Sequence, residues 1–240
     1  MLSNRYANPR KIPLIFGITI IFILCSIISH PPVIAAPSLR TQAPWVGDTL
    51  DGAPCRGKRG SYGPFDFRDP RARGEALRLV EGAHFMPRVR GLVEDRNDSP
   101  VIDDIDYTLR AFPNHHHALY AMTRYWFLPD SSKWVKNRLI RTPPECYFNR
   151  AIHFRSDDGT VKMLYGLYLH RLKKYSSALE QYTAAEQLIP DSAQLLYNIG
   201  LLHFDINQYE KSLAYAKKAY AMQYPLPGLR NKLKNKGYWK

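Results

Sequence analysis

The sequence predicts an all-α chain: a solenoid of about three helix-turn-helix repeats with a capping helix, preceded by an irregular strap. Three observations carry this. Residues 159–224 read as two copies of one 34-residue pattern. Apolar residues before and within those copies recur at helical spacing. Residues 37–73 follow neither a helical nor a strand period and hold many Gly, Pro and Arg residues. At 240 residues, 45% apolar and 23% charged, the chain is large enough for a hydrophobic core and too apolar for wholesale disorder.

In chain order, the first element is a leader. Arg5, Arg10 and Lys11 come with no acid, and an apolar run follows from Ile12 to Ile28, broken only by Pro13, Gly17, Thr19 and Ser26. Pro31, Pro32 and the small-residue stretch Val33-Ile34-Ala35-Ala36 close it. That order describes a secretory signal peptide over residues 1–36, cut after Ala35 or Ala36. The alternative is an uncleaved anchor, since about 17 apolar residues sit at the short limit for a bilayer span. Either way the basic flank stays cytoplasmic and the bulk is exported, to the periplasm or the outer face of the inner membrane. Removing the leader lowers the formal charge from +13 to +10. A basic exported chain meets anionic headgroups, cell-wall polymer or acidic protein surfaces. Nucleic acid is not expected as a partner, because no motif for it occurs.

Two cysteines follow the leader, Cys55 and Cys146. An even count in an oxidising compartment favours a disulfide, with two separate buried thiols as the alternative. A bridge closing a loop of about 90 residues is worth roughly 4–5 kcal/mol in unfolded-chain entropy and would pin the strap. Gly60–Phe67 within the strap is too aromatic for a plain linker and reads as an extended segment lying across helices. The N-terminal helical segment, 74–113, holds helices at Gly74–Ala83, Arg88–Glu94 and Val101–Phe112. Pro87 suits a first helical turn, and Pro113-Asn114 is a stop.

Residues 114–240 carry the repeats and cap. Gly166 and Gly200 are 34 apart, as are Tyr175 and Tyr209, Leu179 and Leu213, and Ala185 and Ala219. Gly166, Ala178, Tyr182, Ala185 and Pro190 fall at positions 8, 20, 24, 27 and 32 of the first copy. This resembles the tetratricopeptide repeat, in which small residues at 8 and 20 let two antiparallel helices approach. In the second copy Ser212, Ala216 and Tyr224 depart from the usual Ala, aromatic and Pro. A weaker earlier copy has a first helix at Ala118–Leu128, an insertion at Pro129–Pro143 containing Trp134, and a second helix marked by Phe148 and Ala151. Ser156–Gly159 turns the chain into the next copy, and Pro227–Gly237 suits a solvating cap. No unit buries its apolar face alone, so neighbours stack.

Residues 62–68, 80–85, 106–116 and the ending Tyr224–Arg230 together resemble a family of exported bacterial tetratricopeptide-repeat proteins. The likeness spans 55–239 and implies fold and compartment; no catalytic residue carries over with it.

In arrays of the resembled kind, positions 2, 5, 9 and 12 of each first helix line a groove. Here those positions are His117, Tyr120, Arg124 and Phe127; Thr160, Met163, Leu167 and His170; and Gln194, Tyr197, Leu201 and Phe204. The set is apolar and aromatic with Arg124 as its clearest cation, which suits an extended or helical peptide with apolar anchors. The alternative is that the strap itself fills this groove. The expectation is therefore a non-enzymatic adaptor or scaffold for an envelope complex, with no cofactor.

Three features offer competing chemistry. His115-His116-His117 is a metal-like tract, but consecutive helical residues point apart, and Asn114 suits an N-cap there. Asp103, Asp104 and Asp106 lie at a helix start, where the dipole favours acids; a cation loop would need glycine and different spacing. Arg230, Lys232, Lys234, Lys236 and Lys240 make a basic tail, read as a solvated face or as a lipid or cell-wall contact. No Gly-x-Ser-x-Gly, phosphate-loop or His-Glu-x-x-His pattern occurs.

Overall fold

The computed structural model describes residues 43–95, 97–129 and 142–240. The leader and nearly all of the predicted insertion, Trp134 included, lie outside them. The described residues form ten helices and no strand, so the all-helical expectation holds. They are α1 (Glu75–His84), α2 (Pro87–Gly91), α3 (Val101–Ala111), α4 (His116–Trp126), α5 (Pro144–Phe154), α6 (Gly159–Arg171), α7 (Tyr175–Leu188), α8 (Ala193–Asp205), α9 (Tyr209–Ala221) and α10 (Gly228–Asn235). None is long and apolar enough to cross a membrane.

Helices α6–α9 repeat one local design. Asp158 and Ser192 each cap a first helix, their side chains accepting from the N–H groups of Val161 and Leu195. Each first helix then stops at a left-handed residue, Lys173 (φ 60°) and Asn207 (φ 61°). The next N–H reaches back five residues, Lys174 to Leu169 O (3.0 Å) and Gln208 to His203 O (2.8 Å), which satisfies carbonyls the helix leaves open.

Within each pair, small residues set the spacing. A Cβ at Gly166 would stand 2.5 Å from the Tyr182 ring, so only glycine admits that ring. At Gly200 the neighbour is Leu229 from α10, 2.6 Å from the same imagined atom. Ser212, where the pattern expects alanine, donates its hydroxyl to Gly200 O (2.8 Å). The polar group is thereby satisfied without widening the α8–α9 contact.

The N-terminal half is less regular. α2 ends at Gly91, short of the expected Glu94, because Leu92 turns left-handed (φ 58°) and Val93 N–H closes on Arg88 O. α4 starts at His116, two residues before the expected Ala118. Its cap is His115 rather than Asn114: the His115 ring accepts from Ala118 N–H while Asn114 faces elsewhere. α6 touches both α4 and α8, so three first helices share a face.

Candidate partner-binding face

On α4, Tyr120 and Arg124 are one turn apart on the same side, and Tyr120 is 43% exposed. The Arg124 guanidinium lies 5.8 Å from the Tyr120 ring centre and donates to Arg90 O (3.1 Å). Phe127, just past the helix, carries the Arg171 guanidinium over its ring at 4.0 Å. Burial lowers the pKa of Arg171 and the nearby Tyr120 opposes that shift. Tyr224, beyond α9, is raised by burial and then by Tyr197, Tyr120 and Tyr220. Tyr120 therefore stands within electrostatic reach of the end of α6 and of the segment after α9. Neither Arg124 nor Arg171 forms an ion pair among the described residues.

The remaining residues named from sequence divide by burial. His117 is exposed, while Thr160, Leu167, His170, Leu201 and Phe204 are half-buried. His170 bonds Asp205 at 3.0 Å. Met163 (4% exposed) and Tyr197 (6%) belong to the core. Tyr197 is covered because its ring meets Tyr224 at 4.5 Å and its hydroxyl accepts from Leu229 N–H of α10. Phe204 lies under Lys232 and beside Tyr209. Arg171 and Tyr224 were not among the groove residues named from sequence, since neither falls at groove positions 2, 5, 9 or 12. The one available signal was Tyr224 standing where the pattern expects proline.

The strap runs along a different side. Its polar contacts reach α3, α5 and the adjoining turns: Arg150 to Ala43 O (2.8 Å), Leu50 N–H to Glu145 (3.0 Å), Thr142 to Arg56 O (2.7 Å), Phe65 N–H to Ala111 O (2.8 Å) and Phe67 N–H to Asn114 (2.9 Å). Cys55 and Cys146 stand at disulfide distance, with Cα atoms 5.4 Å apart. Of the predicted groove residues, His117 meets the strap, through the Phe67 ring at 6.0 Å.

The competing clusters disperse. His115 is buried against Glu81, His116 bonds the Asp158 carboxylate at 2.9 Å, and His117 faces outward. Asp103 pairs with Lys58; Asp104 takes His84, Arg88 and Ser99; Asp106 takes Arg110 and Tyr147. Ser99 and His84 meet opposite oxygens of Asp104, which is not the order of a nucleophile, base and orienting acid. Among the described residues no group of three or more His, Cys, Asp or Glu is placed to hold a metal ion. In the tail, Arg230 stacks on Tyr220 and Trp239, Lys232 pairs with Asp205, and Lys236 lies over Tyr209. Arg230 is half-buried, while Lys232, Lys234, Lys236 and Lys240 remain exposed.

The chain matches no protein-family model and no curated protein.

Proposed function

We propose that the chain is an exported adaptor of the tetratricopeptide-repeat type, whose α4–α6–α8 face binds a segment of a partner protein in an envelope complex. The observation that carries this is the pair Arg124 and Arg171. Both lie against aromatic rings on that face, and neither has a carboxylate partner among the described residues. A partner segment combining acidic residues with aromatic or aliphatic anchors supplies what the face lacks. Three helices packed about 8–10 Å apart span roughly 20 Å, the length of about six extended residues.

The repeat type is supported by the 34-residue recurrence of helix starts, caps and left-handed stops, and by the Gly166–Tyr182 contact. Export is supported by the basic, apolar and small-residue order of 1–36, and by a cysteine pair at bonding distance, which suits an oxidising compartment. Secretion, pilus or cell-wall machinery is the setting this compartment and fold suggest by analogy.

Displayed random peptides test the chemistry of the face. Selection on the mature protein should enrich sequences that place Asp or Glu beside Trp, Tyr, Phe or Leu, with binding lost in Arg124→Glu/Arg171→Glu. Peptides without acidic bias, or retained by that variant, would refute the proposal.

A further inference from the structure

The strap carries Arg56-Gly57-Lys58-Arg59-Gly60, three cations in four positions separated by glycine. The structure folds this run over the last turn of α3 and the middle of α5, leaving a cavity of about 1070 Å³ between them. Exposed Arg56, Lys58 and Arg59 form its rim, and Arg110 and Arg150 form its floor; among the described residues no Asp or Glu lines it.

The local charges do not cancel. Lys58 is neutralised by Asp103 (2.7 Å) and Arg110 by Asp106 (3.0 Å). Arg56 and Arg59 are exposed and have no ion pair among the described residues. Arg150 is only 7% exposed and likewise lacks a carboxylate partner. Its guanidinium donates to the carbonyls of Ala43 (2.8 Å), Leu109 (2.7 Å) and Arg110 (3.3 Å), and stacks on Trp45 at 5.2 Å. Burial lowers its pKa to about 10, so it stays charged near neutrality. A fixed buried cation with two free cations at the rim makes a positive potential focused in the hollow.

We propose that this cavity binds an organic anion carrying two or more phosphate groups. A phosphoryl group brings about 1.5–2 negative charges and three acceptor oxygens, so two of them match three uncompensated arginines better than a monocarboxylate does. The volume exceeds what phosphate alone fills, and Trp45 and Pro64 give the ligand's uncharged body an apolar wall. This site is separate from the α4–α6–α8 face and does not depend on its role.

The test is calorimetric titration of the disulfide-intact mature protein with inorganic pyrophosphate. One saturable site is expected, weakened about tenfold or more in Arg56→Glu/Arg59→Glu with helical circular dichroism unchanged, and weakened by added salt. A second titration, with phosphatidylcholine vesicles containing diacylglycerol pyrophosphate, separates a lipid headgroup from a soluble ligand. Vesicle binding that excess pyrophosphate displaces and the double variant lacks assigns the site to a headgroup. Pyrophosphate binding without vesicle binding assigns it to a soluble anion. No pyrophosphate binding, equal binding by the variant, or vesicle binding indifferent to pyrophosphate would each overturn the proposal.

Discussion

Helices α6–α9 and the region before Asp158 are joined by different means. In α6–α9 the contacts are between near neighbours: Gly166 under Tyr182, Ser212 on Gly200, and Tyr215 stacked on His203. Before Asp158 an apolar core is joined by polar contacts between residues far apart in sequence. Asn114 holds Asp66 (2.7 Å) and Asp158 (3.0 Å), and Arg68 reaches Asp157 and Asp158. Glu145, 4% exposed, takes Leu50 N–H and the Tyr168 hydroxyl (2.7 Å). Repetition therefore stabilises one region locally, while the other depends on cross-links that close long loops.

The largest effect should come from the Cys55–Cys146 pair. Its sequence separation of 91 predicts a loss of about 4–5 kcal/mol in Cys55→Ser/Cys146→Ser. Denaturant unfolding should also become two-phased, the helical signal of α6–α9 outlasting loss of the Trp45 environment. A single transition shifted as a whole would show that the two regions are not energetically separable.

Asp158→Ala should cost about 3 kcal/mol, since it removes a helix cap and strips His116 and Asn114 of a buried acceptor. Burial alone would raise the Asp158 carboxyl, but His116, Asn114 and Val161 N–H hold it below its ordinary value. Its contribution is accordingly present above pH 3.8 and lost as pH falls through the lowered folded value. Chemical denaturation of the variant checks the magnitude.

Gly166→Ala probes the repeat region. The new methyl meets a buried aromatic ring, and overpacking of this kind costs about 2 kcal/mol. Gly200→Ala should cost less, because the atom it meets is the flexible end of Leu229. Equal melting temperatures for the two variants would contradict the packing described.

The smallest effect is in pH. His115 Nδ1 accepts from Ala118 N–H, which leaves Nε2–H to donate to Glu81 (3.1 Å). Burial holds the ring's pKa below 6.5, with Glu81 partly opposing. As pH falls through 6.5 the unfolded chain takes a proton that the folded one resists, so stability declines. His115→Gln should flatten that decline; an unchanged slope would remove His115 as its source.

The same contrast explains what could be read in the residues beforehand. The 34-residue spacing located α6–α9 because their caps, glycines and stops are set by neighbours within one repeat. Glu145, Arg150 and Asn114 gave no such signal, since each is defined by a strap residue tens of positions away. Asn114 was the usual residue type for a cap, yet the strap takes its side chain and His115 caps α4 in its place. On the candidate face, Tyr120, Arg124 and Phe127 followed from position in the repeat. Met163 and Tyr197 followed the same rule but are buried. Arg171 was missed because a long side chain at a helix end reaches back across its neighbour to Phe127.

Site-specific photo-crosslinking in intact cells tests the adaptor reading most directly, with the reactive residue at exposed Tyr120 and, as control, at exposed Gln187 on α7. The account predicts one discrete protein adduct from position 120, absent from position 187 and abolished by Arg124→Glu/Arg171→Glu. Adducts that are equal at both positions, or that survive the charge reversal, would contradict it.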